Sequence, residues 1–141
     1  MTGGEAYFAG ETAARTEGRG TWVRWDELEP LVLVPGLTFQ PVVGQKVMVN
    51  FVSFEPHVEA PLHWHEEEQI SYVIDGELEF EVAGETRTLR RGEAVVVPPN
   101  VPHGARTHDE PCFEVDVFHP PRQGVLDAIG AREAASPAPE A

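Results

Sequence analysis

The chain has 141 residues, of which 41% are hydrophobic, 13 are Gly and 13 are Pro. That is enough for one core with no second one beside it, and so many backbone punctuators suit a turn-rich β fold rather than a helical bundle. A formal net charge of −14 has the wrong sign for binding a phosphate backbone or an anionic membrane, and a single cysteine, Cys112, excludes an intrachain disulfide.

Residues 1–20 are rich in Gly, Ala, Thr and Glu and read as a flexible N-terminal arm. They lack the basic start and apolar run of a signal peptide, and nowhere does an apolar run approach the ~18–20 residues of a transmembrane helix. The expectation is a soluble cytoplasmic protein. A short helix is expected near Trp25-Asp26-Glu27-Leu28. Strands follow: Val47 to Phe54, β-branched and aromatic; Gln69 to Ile74, ending in a turn at Asp75-Gly76; and Glu77 to Val82, which alternates charged and apolar residues. Thr86 to Leu89, Ala94 to Val97 and Cys112 to Phe118 complete the set. A second short helix is expected around Val125 to Ala131, and 131–141 (AREAASPAPEA) read as a disordered tail. Short strands with turn signals every ~8–12 residues predict an all-β sandwich or barrel over residues 21–130.

The chemistry lies in the histidines at 57, 63, 65, 103, 108 and 119. On a strand, residues two apart share a face, so His63 and His65 make a bidentate claw for a metal. Gln69 follows four residues later, and His103 sits after the proline-rich run Pro98-Pro99-Asn100-Val101-Pro102. His57, His108 and His119 are expected at the surface.

The spacing of His63, His65, Gln69 and Gly76, followed by that of Gly92, Pro98, Asn100 and His103, resembles the two motifs of the cupin superfamily. The resemblance covers roughly residues 45–120. It implies a single jelly-roll β-barrel that holds one divalent metal ion in its lumen, ligated by His63, His65, Gln69 and His103. It also implies a homodimer formed through an exchanged N-terminal strand. Two positions depart from the usual pattern: Gln69 stands where Glu is common, and His57 where Gly is common.

The amide has a consequence. Three neutral imidazoles and a neutral Gln leave the metal its full dipositive charge, where a Glu would reduce it. Such a centre is a stronger Lewis acid and gives less support to a higher oxidation state. Zn or Ni is therefore favoured, with Fe, Mn or Cu also compatible with the ligands.

In the last strand, Glu114, Asp116 and Phe118 share one face, which aims the carboxylates into the cavity if the other face packs outward. Cys112 is in phase with them. Asp116 opens the string Asp116-Val117-Phe118-His119-Pro120-Pro121-Arg122, which resembles the ending of the cupins that open 4,5-unsaturated uronate rings. That resemblance implies a catalytic Asp116 and an Arg122 that binds a carboxylate. A similar sub-pattern occurs in zinc-dependent polyketide cyclases. The expected function is thus metal-dependent and non-redox, acting on a small carbonyl-bearing or enolic molecule with Asp116 moving a proton. Uronate ring opening is the sharpest version, polyketide cyclisation the second, an Fe or Cu dioxygenase the third, and a sensor without turnover the fourth.

Overall fold

Nine antiparallel strands occupy most of the chain from Leu31 to His119 in the computed structural model, which describes residues 2–9 and 15–135. They are β1 (Leu31–Val34), β2 (Leu37–Val43), β3 (Met48–Phe54), β4 (Glu59–His63), β5 (Glu68–Val82), β6 (Glu85–Arg90), β7 (Ala94–Val97), β8 (His103–Arg106) and β9 (Cys112–His119). A 3₁₀ helix at Trp25–Glu27 precedes them, and a helix over Gln123–Ala135 follows. Within the stretch read as an arm, Gly3–Phe8 form a helix, α1, closed at its start by a capping box between Thr2 and Glu5. None of its residues is buried. The helix at the other end, α2 (Gln123–Ala135), begins earlier and runs further than expected. It takes in 131–135 of the segment read as a disordered tail; 136–141 lie outside the described residues. None of the described helices is long and apolar enough to cross a membrane.

Period two explains the layers. Along β3, Met48, Asn50, Val52 and Phe54 are buried while Val49, Phe51 and Ser53 are only partly so. Along β9 the inward set is Cys112, Glu114, Asp116 and Phe118. The ladder runs β1-β2-β3-β9-β5-β8-β4, with β6 and β7 also pairing with β5. A core of Leu37, Val52, Phe54, Val73, Leu78, Phe80, Leu89 and Val97 fills one part of the curled sheet. A smaller cluster of Leu31, Met48, Phe118 and Val125 fixes α2 at the other end. Full burial of such side chains contributes about 1.5–3 kcal/mol each.

Strand β5 joins the two faces. Its first half pairs with β9 and β7, its second half with β6 and β8. The expected turn at Asp75-Gly76 does not break it in two. The register with β9 instead shifts between Val73 and Asp75, and Gly76 takes φ +81°. The strand bends there and continues. A Cβ on Gly76 would stand 2.1 Å from the carbonyl oxygen of Pro111. Gly76→Ala therefore combines a left-handed backbone with a backbone clash. It is expected to destabilise the fold by about 2–4 kcal/mol, read as a fall in thermal midpoint of roughly 10 °C.

Candidate metal centre

β4 ends at His63 and β8 begins at His103, and the two are partners across the β4–β8 ladder. His65 lies two residues beyond β4, and Gln69 is the second residue of β5. The three imidazoles converge: ring centroids are 4.3 Å apart for His63–His103, 4.8 Å for His65–His103 and 5.6 Å for His63–His65. One ring nitrogen from each lies within 4.8 Å of the others.

The opposite nitrogens are anchored to the backbone. Nδ1 of His63 donates to the Pro61 carbonyl at 2.7 Å, that of His65 to Glu67 at 3.0 Å, and that of His103 to Val101 at 2.8 Å. This tautomer leaves each Nε2 with a bare lone pair. Gln69 Oε1, itself an acceptor, lies 3.1 Å from Nε2 of His65 and 3.1 Å from Nε2 of His103. Acceptors brought this close repel one another unless a cation lies among them. Burial pushes the His65 pKa down, with Arg122 adding to the effect. Burial takes His103 down to about 4, with the neighbouring histidines and Arg122 lowering it further. Neutral imidazoles are the form that ligates, so the donor set fits a divalent metal ion.

Gln69 also leads away from the histidines. Its Nε2 donates to Ser71 Oγ at 2.9 Å, and Ser71 Oγ donates to Asp116 Oδ1 at 2.6 Å. Ser71 and Asp116 are partners across the β5–β9 ladder, so the sheet register itself sets this contact. Burial raises the Asp116 pKa, partly opposed by the hydrogen bond from Ser71.

A cavity of about 310 Å³ joins these groups. His63, His65, Gln69, His103, Glu114, Asp116 and Arg122 supply its ionisable and amide lining; Leu33, Leu37, Phe39, Val52, Phe54 and Phe80 are among its apolar walls. Arg122 follows β9 and is about a quarter exposed, with a guanidinium nitrogen 3.9 Å from Glu67 Oε1.

The cupin domain family matches residues 50–118. The pectin degradation protein KdgF of Dickeya dadantii (strain 3937) is 35% identical over 103 residues, which span 72% of this chain and 90% of that protein. The structure of KdgF from Halomonas sp. superposes with a TM-score of 0.72 at 30% identity, covering 77% of this chain and 100% of the other.

The chain belongs to the cupin family.

A further relative, the H2HPP isomerase of Bacillus subtilis, is 39% identical over 74 residues; the match spans 51% of this cupin but only 30% of that protein.

Several residues of this cupin stand where their sequence phase puts them. Glu114, Asp116 and Phe118 face the cavity together, and Tyr72 lies outside it, half exposed. His57 is at the surface, 3.2 Å from Asp109, and His108 and His119 are exposed. Trp64 follows the end of β4 and is 65% exposed. Phe51 and Ser53 lie on the outer face of β3; Val52 and Phe54 are the residues of that strand that line the cavity. Phe51 stacks on Phe113, against which Trp25 also packs. Cys112 is buried in the core without lining the cavity; burial, with Glu114 beside it, pushes its thiol up to about 12, so it is no nucleophile.

Sequence reading missed Ser71 and Glu67. Ser71 carried a usable signal, since it lies two residues from Gln69 on one strand. Glu67 carried none, because it sits in an acidic run. It is 3% exposed, and its Oε2 accepts from the Gln123 backbone N–H at 2.7 Å. Burial alone would raise its pKa, but that hydrogen bond, its own backbone N–H and Arg122 together hold the carboxyl below its usual value. A buried carboxylate thus fastens the first turn of α2 beside His65.

Proposed function

We propose that this cupin is a metal-dependent, non-redox enzyme that opens the ring of a 4,5-unsaturated uronate and yields its keto tautomer. The observation that carries this reading is the continuous path from Gln69 through Ser71 to Asp116, with Arg122 lining the same cavity. Likeness to two KdgF proteins, one of them named for pectin degradation, supports it. Ring opening conserves composition and needs no oxidant.

In this mechanism Arg122 clamps the substrate carboxylate with two parallel hydrogen bonds. Asp116 takes a hydroxyl proton, and Ser71 holds it in place by donating to Oδ1. The apolar walls exclude water from the reacting atoms. His63, His65, His103 and Gln69 would hold the divalent metal, with Zn or Ni favoured, and when bound it would supply Lewis acidity towards a substrate oxygen. The partner is a small molecule, and the working unit is a homodimer.

A second reading, aldol-type cyclisation of a polyketide with the same groups, draws on the apolar walls at Leu37, Phe39, Phe54 and Phe80. Cavity size favours the uronate, because about 310 Å³ lies at the small end of the ~300–1,000 Å³ range for ligand sites. The test is elemental analysis of the purified protein, followed by NMR of 4,5-unsaturated galacturonate and of a poly-β-keto compound with the metal-loaded enzyme. Stoichiometric Zn or Ni and opening of the uronate are expected. Stoichiometric Fe or Cu with oxygen uptake would replace the reading with a dioxygenase, and turnover of the poly-β-keto compound alone would replace it with a cyclase.

A further inference from the structure

Two carboxyl groups stand side by side on the inward face of β9. Glu114 is 3% exposed and Asp116 is 7% exposed, and both line the cavity. Glu114 Oε2 is buried and has no hydrogen-bond partner. At the register of Glu114, the neighbouring strands present Val52 from β3 and Val73 from β5. Glu114 therefore sits between hydrocarbon side chains, two residues from Asp116 on the same inward face of β9.

Ionising a carboxyl there would leave a charge with neither hydration nor a hydrogen bond to replace it, so Glu114 keeps its proton. Asp116, by contrast, has the Ser71 hydroxyl at 2.6 Å to stabilise a negative charge. The pKa of Glu114 agrees in direction: burial first, then the charge of Asp116, raise it well above the usual carboxyl value.

We propose that Glu114 is the second proton-transfer group of this site, an acid facing the substrate that delivers a proton to carbon after Asp116 has removed one from oxygen. This deepens, and rests on, the ring-opening reading. Asp116 accepts the proton of the anomeric hydroxyl while a carbonyl forms at that carbon and the ring carbon–oxygen bond breaks. The bonding pair passes to the ring oxygen, which remains on the carbon–carbon double bond as an enolate. Collapse of the enolate to the ketone moves an electron pair to the neighbouring carbon, which takes the Glu114 proton. Asp116 then returns its proton to Glu114 within the cavity that both line. The pair holds one proton before and after, and the substrate is only isomerised.

Glu114→Gln keeps the shape and a hydrogen-bond donor but has no proton to transfer. With metal-loaded enzyme and 4,5-unsaturated galacturonate, kcat is expected to fall by about 10²-fold, with KM and metal content unchanged. In D₂O the wild type should place deuterium on one face of the product carbon, and the variant on both faces. An unchanged kcat with one-face labelling would overturn the proposal. A measurement on the metal-loaded wild type needs neither a folded variant nor a substrate. Infrared spectra at neutral pH of protein with and without ¹³C-labelled glutamate should contain a protonated carboxylic acid band that moves with the label. Absence of that band would overturn the proposal. If the band is present and wild type leaves the uronate unchanged, the ring-opening reading fails while the protonated state of Glu114 stands.

Discussion

Asp116→Asn is expected to lower turnover of a 4,5-unsaturated uronate by about 10²–10⁴-fold and to leave metal content at the wild-type level. The substitution preserves shape, and the amide oxygen of Asn still accepts from Ser71 Oγ, which sits 2.6 Å from Oδ1. What is lost is the capacity to take a proton. Stability provides the control. Burial raises the pKa values of both Asp116 and Glu114 above their ordinary values in the folded protein. The folded state thus binds protons more tightly than the unfolded chain, and this contribution to stability declines as pH rises past the unfolded carboxyl values. At neutral pH the pair is a cost to folding, so removing one carboxylate should not lower the thermal midpoint. Full activity in Asp116→Asn would remove this residue from the mechanism. Lost activity together with lost metal would make it a structural support of Gln69 instead.

The second large effect is expected at His103. It is 2% exposed, lies 4.3 Å from the His63 ring and 4.8 Å from the His65 ring, and shares the Gln69 oxygen with His65. His103→Ala removes one of four converging donors and should weaken metal binding by well over the ~10–100-fold seen when only a supporting residue is lost. Elemental analysis after dialysis should then find little metal, and activity should disappear with it. Melting curves give an independent readout. A metal at about 100 times its Kd stabilises a folded protein by about 2.7 kcal/mol, so added Zn should raise the wild-type midpoint and leave that of His103→Ala nearly unmoved. Retention of stoichiometric metal by this variant would mean that the four residues do not form the centre.

Much of this was legible in sequence because two signals were strong. Alternation from Cys112 to Phe118 gave that strand and its inward face, and with it the placement of Asp116 and Phe118. Motif spacing brought His63, His65, Gln69 and His103 together. What escaped was set by contacts distant in the chain. The strands Leu31–Val34 and Leu37–Val43 are short or carry a proline, and their stability comes from pairing with each other and with β3. The Asp75-Gly76 pair has the composition of a turn, yet the close approach of Pro111 turns it into a bend within one strand. Arg122 reaches the cavity rim beside Glu67, an acid that looks like any other in the run Glu66-Glu67-Glu68.

Strands β5 and β9 supply Gln69, Ser71, Glu114 and Asp116 at a register fixed by their ladder. Other parts of the cavity lining come from elsewhere: Leu33 and Val34 on β1, Leu37 and Phe39 on β2, and Gly124 and Val125 on α2. On the proposed reading, bond making and substrate choice therefore reside on separate pieces of chain. Mutations in the outer pieces can reshape the chamber without disturbing the spacing of the reacting groups. One scaffold can in this way be retuned to new molecules by altering a short edge strand and a terminal helix, while the proton machinery is inherited intact.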